Sequence, residues 1–492
     1  MHEHKGSRFN IAVPVEDGDV LLYNTATGGL VRVDGDTYAA VQPLFRAGGR
    51  DVPRDWAPAV PGELDPDVAH VLAAGGFIVA RDLDELAALR DAFERERDSA
   101  NLKFTIGITM ACNFACPYCF EEHRNEHMTP PVADAVFRFV QQHMRDAGAR
   151  SVYVNWFGGE PLLNVDVLCQ LSAQIRREAE ATGAHYESMV ITNGALLTRG
   201  VAERLRAAGV EAVQVTIDGP AEVHDRRRPF KGGQPSFARI VANVRATQDL
   251  LRTTIRVNVD QGNRAAQPAL VRALAAEGIL DGAHAARLYA GKVTRYTEQS
   301  EMLWAPLDQR AIAQLGDPIA GELTALGLPV LAAGSPLDWA GDRGGCSAMR
   351  NHSFVIGPSG QLFKCELGIH DDREALGTVG PIAGALDPSA SPGPGAPDST
   401  ASAAAAAPAR KPRRLPVIGP AFGSRSLDWS GHNPYDSPVC SGCQFVPLCK
   451  GGCPKRVMER DLGFMQDTCD YWDHNHERLI RELAGAPAAP SS

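Results

Sequence analysis

Cys112-Asn-Phe-Ala-Cys116-Pro-Tyr-Cys119 is the stretch of this 492-residue chain that decides its fold. The spacing is C-x3-C-x2-C, and Pro117 favours a turn, so the backbone can curl around a single metal cluster. A cubane iron–sulfur cluster has four irons, and three thiolates leave one iron open to a substrate or cofactor. Structural zinc usually takes four ligands, and no fourth cysteine lies nearby. The spacing therefore predicts a catalytic iron–sulfur cluster.

A second group of cysteines lies nearer the C-terminus. Its members are Cys346, Cys365, Cys440, Cys443, Cys449, Cys453 and Cys469. The four from Cys440 to Cys453 also allow a zinc site, because C-x2-C pairs are common in zinc proteins. Disulfides are the third interpretation, but they are rare in a reducing cytosol. The eleventh cysteine, Cys169, follows a helical pattern in register with Val165 and is expected to be a buried structural thiol.

Composition and charge exclude several classes of function. The first residues, MHEHKGSRFN, lack the apolar segment of a secretory signal, so we expect a cytoplasmic protein. No run of eighteen apolar residues exists, which argues against a membrane span. The formal net charge is −10 and there is no basic tail, so nucleic-acid binding is not expected.

The pattern along the chain predicts several domains. Residues 1–95 show a strand hairpin followed by helical segments, and residues 83–99 form an amphipathic helix that joins two domains. Residues 101–300 alternate strands and helices about six times, which predicts a parallel sheet of the α/β class. We expect a connector at 301–345, a cysteine-rich domain at 346–480 and a disordered tail at 481–492. The Pro/Ala/Ser-rich stretch at about 388–424 is predicted to be a disordered insert.

The first cysteine motif, with the aromatic Tyr118 inside it, resembles the hallmark of the radical S-adenosylmethionine (SAM) superfamily. The later cysteines resemble the SPASM domain, with Gly360 five residues before Cys365 and then the C-x2-C-x5-C-x3-C block. The resemblance covers roughly residues 101–475. It implies a partial (β/α)6 barrel with a SPASM domain, and residues 1–95 resemble a winged-helix-like peptide-recognition module.

The resemblance also implies cofactors and the residues that bind them. SAM would chelate the open iron of a [4Fe–4S] cluster held by Cys112, Cys116 and Cys119, and two auxiliary [4Fe–4S] clusters would lie in the SPASM domain. The SAM-binding residues that it implies are Gly158, Gly159, Glu160, Thr192, Asn193 and Asp218. Each of these motifs follows a predicted strand, at the barrel end where active sites form. One of Arg226, Arg227 and Arg228 is a candidate partner for the SAM carboxylate.

By the same resemblance, one auxiliary cluster takes Cys440, Cys443, Cys449 and Cys469, and the other takes Cys346, Cys365 and Cys453. The second set has only three cysteines. Either an unusual ligand such as Asp342 closes it, or one iron stays open for a substrate thiolate.

These resemblances imply a peptide maturase. The expected reaction begins with a 5′-deoxyadenosyl radical and forms a thioether or carbon–carbon crosslink in a ribosomally made peptide. The expected partners are a precursor peptide with a leader and an electron donor such as ferredoxin or flavodoxin. One alternative is formylglycine generation, as in anaerobic sulfatase maturases, in which an Asp follows the second SPASM cysteine; here that residue is Glu366. The other is a zinc-stapled binding protein without catalytic activity.

Overall fold

The computed structural model describes residues 3–15, 18–46, 48–53, 55–293, 318–328, 345–380, 429 and 431–485. Its N-terminal part contains two small antiparallel sheets and two helices. Strand β1 (His4–Gly6) pairs with β5 (Ile78–Ala80), while β2 (Asn10–Pro14), β3 (Val20–Asn24) and β4 (Leu30–Val33) pair in sequence order. Helices α1 (Gly35–Val41) and α2 (Pro66–Ala74) begin after Asp34 and Asp65, whose carboxylates accept hydrogen bonds from backbone N–H groups of the first turn.

Six parallel strands and their helices form the central part of the molecule. The strands are β6 (Asn101–Thr109), β7 (Ser151–Gly158), β8 (His185–Thr192), β9 (Ala212–Thr216), β10 (Arg252–Val259) and β11 (Arg287–Lys292). The helices are α3 (Glu85–Arg97), which leads into β6, then α4 (Pro130–Ala147), α5 (Val165–Thr182), α6 (Arg199–Ala207), α7 (Ala221–Arg227), α8 (Phe237–Thr247) and α9 (Gln267–Ala276). The predicted α/β class with about six strand–helix units is confirmed.

Side chains alternate between the two faces of each strand. One face packs against the helices to form the main core, and the other faces the interior of the curved sheet. Phe104, Ile106 and Ile108 of β6 are fully buried and belong to the same hydrophobic cluster as residues of helices α4 and α5. The residues between them point to the opposite face of the sheet. Because the strands are parallel, their carboxyl ends meet at one edge, where the motifs predicted from the sequence gather.

The cysteine-rich part is continuous with the central sheet. Strand β12 (Phe354–Ile356) pairs in parallel with β6, and β13 (Gln361–Phe363) and β14 (Gly377–Thr378) extend the sheet to nine strands. The remaining helices are α10 (Pro318–Ala325), α11 (Val446–Cys449), α12 (Pro454–Met458) and α13 (Leu462–Leu483). The predicted insert at about 388–424 and most of the 301–345 connector lie outside the described residues. In the described ranges, no helix is both long enough and apolar enough to cross a membrane.

Candidate active site

The cysteine motif forms a loop directly after β6. Two backbone hydrogen bonds fasten this loop to the segment after α7: Ala115 N donates to Pro229 O at 3.0 Å, and Lys231 N donates to Asn113 O at 2.9 Å. The fully buried Phe114 packs edge-on against Phe230, with ring centroids 4.8 Å apart. The loop is therefore a fixed part of the barrel mouth.

The three thiols of this loop lie in a poorly solvated environment. Burial raises the pKa of Cys112 and of Cys119 to about 12, and it also raises the pKa of Cys116. The Cys119 Sγ lies 3.6 Å from Nε2 of His123. Buried thiols of this kind ionise when a metal replaces the proton. These three cysteines are therefore better suited to bind an iron–sulfur cluster than to exist as free thiolates.

The Gly-Gly-Glu motif presses against the start of the cysteine loop. Gly158 has a φ of +125°, and a Cβ built there would lie 2.0 Å from Thr109 O. A Cβ on Gly159 would lie 2.4 Å from Ala111 O. Glu160 N donates to the same Ala111 O at 2.8 Å. The two glycines are required because the end of β7 passes the backbone of the loop without room for side chains.

Glu160 connects this motif to the end of β8. Its fully buried carboxylate accepts hydrogen bonds from Thr192 Oγ1 at 2.7 Å, Asn193 N at 2.8 Å and Leu162 N at 3.0 Å. Burial raises the pKa of Glu160, and these hydrogen bonds oppose that shift. The Asn193 Nδ2 group donates to Asn113 Oδ1 at 2.7 Å, which ties β8 to the cysteine loop.

Asp218 lies beyond the end of β9, and both of its carboxylate oxygens accept hydrogen bonds from other residues of the protein. Oδ1 accepts from Asn258 N at 3.0 Å, and Oδ2 accepts from Tyr118 Oη at 2.5 Å and from Arg227 Nε at 3.3 Å. Asp218 is fully buried. The structure thus brings it to the cysteine loop through Tyr118, and direct contact with SAM stays a prediction.

The three candidate arginines differ in where they point. Arg226 is exposed. Arg227 is buried and donates from Nη1 to Asp260 Oδ2 at 2.8 Å as well as binding Asp218. Arg228 donates to Tyr118 Oη at 2.5 Å, and its positive charge acts to lower the pKa of the Cys112 and Cys116 thiols, against the larger effect of burial. Within the described residues, Arg228 Nε is buried without a hydrogen-bond partner.

Electrostatic effects between neighbouring thiols group the C-terminal cysteines, while their assignment as cluster ligands stays a prediction. Burial raises the pKa of Cys365 to about 12, with further contributions from Cys346 and Cys453. It also raises the pKa of Cys449 to about 12, with contributions from Cys440 and Cys469. The pKa of Cys443 rises to about 12 for the same reasons, with Cys449 its strongest cysteine neighbour. In the described part of the chain, no three His, Cys, Asp or Glu side chains are arranged to hold a single metal ion.

Other sequence candidates lie elsewhere. Cys169 on α5 is half-buried against the main core. Asp342 lies outside the described residues. Glu366 accepts a hydrogen bond at 2.8 Å from Thr105 Oγ1, on the inner face of β6, so it points toward the barrel interior.

Sequence reasoning missed one acidic residue of the site. Glu121, two residues after Cys119, is buried, and its Oε2 has no hydrogen-bond partner among the described residues. Burial raises the pKa of Glu121 to about 8, with further contributions from the charges of Glu366 and Glu160. Its position in the Phe-Glu-Glu run after the third cysteine was the available signal, but the run looks like an ordinary charged loop.

Comparison with known proteins agrees with this geometry. Residues 106–263 match the family model described as the Radical SAM superfamily. The chain contains a radical SAM domain. Such domains use SAM together with a [4Fe–4S] cluster. The matched segment runs from β6 through the cysteine loop, Gly-Gly-Glu and Asp218 to Asn263, so it contains the site described above.

Two curated relatives match over parts of their length. The chain is 23% identical over 238 residues to a radical SAM cyclopropyl synthase, TigE, of Paramaledivibacter caminithermalis, covering 44% of this chain and 49% of that protein. It is 30% identical over 142 residues to a serine-type anaerobic sulfatase-maturating enzyme of Bacteroides thetaiotaomicron, covering 28% and 34%. The chain thus spans about half or less of these relatives.

A solved structure shares the fold over most of the molecule. The structure of native anSMEcpe with bound AdoMet superposes with a TM-score of 0.54 at 15% identity, covering 78% of this chain and 99% of that one. The similarity of fold therefore extends beyond residues 106–263.

Proposed function

We propose that this protein is a radical SAM enzyme that modifies a ribosomally made peptide. The observation that carries the proposal is the loop of three poorly solvated thiols fixed at the carboxyl edge of the parallel sheet. The proposed ligands of the cluster are Cys112, Cys116 and Cys119. When bound, the cluster and SAM supply a 5′-deoxyadenosyl radical that removes a hydrogen atom from the substrate.

The protein residues bind and orient the cofactor. Gly158 and Gly159 leave space for close backbone approach, and Glu160, Thr192 and Asn193 form the polar wall beside it. Arg228 is the best candidate for the SAM carboxylate, because Arg227 is committed to two buried carboxylates and Arg226 is exposed. Arg228 keeps an unpartnered Nε in the described part of the chain.

We propose that the two auxiliary cysteine sets each bind an iron–sulfur cluster. We also propose the domain boundaries that the sequence predicts. The grouping of the thiols supports this assignment, and four neighbouring thiols suit a cubane cluster. If the set of Cys346, Cys365 and Cys453 has an open iron, a substrate thiolate can bind there and a thioether is the expected product. If a further ligand closes it, carbon–carbon coupling is favoured. A ferredoxin or flavodoxin is the expected source of electrons.

The N-terminal sheet offers a place for the leader of the peptide. Strand β4 pairs only with β3 among the described strands, so its outer edge can accept a further strand. The side chains of β4 are exposed or half-buried, which leaves them accessible to a peptide. We propose that the leader adds to this edge.

Replacing the triad tests the core of the proposal. The Cys112→Ala, Cys116→Ala, Cys119→Ala variant should lose formation of 5′-deoxyadenosine from SAM under dithionite. Its iron content should fall by about four of about twelve atoms, since the auxiliary sets remain. Cys169→Ala is the control and should keep both values. Cleavage at the wild-type rate in the triad variant would overturn the proposal.

Formylglycine generation is the second candidate. The similarity to the serine-type sulfatase-maturating enzyme favours it, whereas Glu366 in place of the expected Asp counts against it without excluding it. The two candidates give the same change in peptide mass but differ in where it falls and in the functional group formed. A crosslink removes two hydrogens and joins two residues of one peptide, whereas oxidation of Ser removes two hydrogens at a single residue and creates a hydrazine-reactive aldehyde. Tandem mass spectrometry with and without a hydrazine probe separates them.

A further inference from the structure

The hydroxyl group of Tyr118 is the meeting point of three elements at the barrel mouth. It donates to Asp218 Oδ2 at 2.5 Å, and it accepts from Arg228 Nη1 at 2.5 Å and from Asn258 Nδ2 at 3.3 Å. A phenol has one donor and two lone pairs, so it can make these three contacts at once. Asp218 follows β9, Arg228 follows α7 and Asn258 lies near the end of β10.

The partners of Tyr118 are themselves held firmly. Asp218 N donates to His224 Nδ1 at 3.2 Å, and Asp218 O accepts from Asn263 Nδ2 at 2.7 Å. The carboxylates of Asp218 and Asp260 balance the guanidinium groups of Arg227 and Arg228, and all four side chains are buried. Paired and hydrogen-bonded charges of this kind keep their geometry, because removal of one partner leaves a buried charge unpaired.

The ring of Tyr118 is fixed as well. The Cζ atoms of Arg227 and Arg228 lie 5.1 Å and 6.0 Å from its centroid, within the range of cation–π attraction. Tyr118 sits in the chain between Cys116 and Cys119. The contacts of its side chain therefore restrain the backbone that carries two of the three proposed cluster ligands.

The cysteine loop is thus held from two sides. On one side, Ala111 and Asn113 bind the Gly-Gly-Glu motif and Asn193. On the other side, the Tyr118 hydroxyl binds the buried charges after β9 and α7. We propose that Tyr118 is a positioning residue whose hydroxyl fixes the second and third thiols and holds Arg228 beside them, so that Asp218 acts on the cofactor site through Tyr118. This inference rests on the proposed radical SAM function.

The test compares two tyrosines with buried hydrogen bonds. Tyr118→Phe removes only the hydroxyl at the loop. Tyr186→Phe is the matched control, because the Tyr186 hydroxyl lies 2.9 Å from Ser172 Oγ on the outer side of the same sheet. Both variants are reconstituted with iron and sulfide as full-length protein, reduced anaerobically, and titrated with SAM while the electron paramagnetic resonance spectrum is recorded.

In Tyr118→Phe, we expect the triad cluster to form with a changed spectrum, a more negative midpoint potential and a SAM requirement raised by about tenfold, as for the loss of a charge-assisted hydrogen bond. Tyr186→Phe should match the wild type. Wild-type spectrum, potential and SAM dependence in Tyr118→Phe would overturn the proposal, and so would equal shifts in both variants.

A second variant covers the case in which Tyr118→Phe loads no triad cluster. Asp218→Asn keeps an acceptor for the Tyr118 hydroxyl but removes the charge facing Arg227. We expect it to load iron and to show an intermediate spectral shift, whereas an unchanged spectrum or complete loss of loading would contradict a role through Tyr118. If the wild-type spectrum itself does not respond to SAM, the proposed function fails, and this result is distinct from failure of the Tyr118 proposal.

Discussion

At the scale of single residues, the glycines and cysteines were the most informative for predicting the site from the sequence. The resemblance singled out Gly158 and Gly159, and the structure shows that both positions lie against the carbonyl oxygens of Thr109 and Ala111. The roles of Tyr118, Asp218 and Glu121 were not readable in the same way. Tyr118 and Asp218 are one hundred positions apart, and Glu366, whose charge affects Glu121, lies still further along the chain. A charge in a loop motif does not reveal which buried partner it meets.

Gly159→Ala gives a prediction at this scale. The added methyl group would lie 2.4 Å from Ala111 O, and backbone atoms cannot turn away as a flexible side chain can. We expect destabilisation of about 1–3 kcal/mol, with displacement of the loop and loss of most SAM cleavage. Gly200→Ala on α6 is the control, because its added Cβ meets nothing within 4 Å. Anaerobic urea unfolding and a 5′-deoxyadenosine assay report the two effects, and equal behaviour of both variants would contradict the prediction.

At the scale of elements, the long strands and helices followed the sequence pattern closely. The predicted alternation of strands and helices at 101–300 corresponds to six parallel strands between Asn101 and Lys292, with helices such as α4 (Pro130–Ala147) between them. The short strands β12, β13 and β14 were not anticipated, since two or three residues are too few for a periodic signal. They matter because β12 covers the edge of β6 that a partial barrel would otherwise leave open.

The contact between α4 and the β12 region predicts a dependence of stability on pH. His143 of α4 is buried with its Nδ1 3.3 Å from Nδ1 of His352, and its ring packs on Phe139 and Phe354. Burial, followed by the charges of His352 and Lys364, lowers the pKa of His143 to about 4. The unfolded chain, with an ordinary histidine pKa near 6.5, therefore binds more protons than the folded chain between about pH 6.5 and 4, and stability falls as the pH falls through this range.

From pH 7.5 to 5.5, this difference amounts to about 1 kcal/mol of unfolding free energy for His143 alone. His143→Leu should remove that part of the pH dependence while the part due to His352 remains. Anaerobic urea unfolding at the two pH values measures it. His185→Leu is the control, because this histidine is exposed at the start of β8. A pH dependence in His143→Leu equal to that of the wild type would show that His143 titrates alike in the folded and unfolded chains.

At the scale of the whole molecule, the N-terminal module and the cysteine-rich part are joined more closely than the sequence suggested. Arg8 Nη2 donates to Ser441 O at 2.8 Å, and Gln444 Nε2 donates to Asn10 O at 2.8 Å. The sequence could place boundaries between these parts but not their contact, because the residues involved are over four hundred positions apart. A module that only captures a leader peptide would not require this shared core.

The two faces of the N-terminal sheet allow this coupling to be tested. Leu21 on β3 packs with Phe445 and Leu448, which lie between Cys443 and Cys449, whereas its neighbour Leu22 packs inside the module with Phe77 and Leu72. Both leucines are buried, so replacement by Ala should cost each about 2–5 kcal/mol of unfolding free energy. Only Leu21→Ala removes a side chain from the hydrophobic cluster that contains the proposed ligands Cys443 and Cys449. We expect it to lose up to about four irons per chain on anaerobic gel filtration while the triad signal persists, and Leu22→Ala to keep its iron. Equal iron contents in the two variants would mean that the N-terminal module does not support the auxiliary cluster, and that the shared core contributes to stability alone.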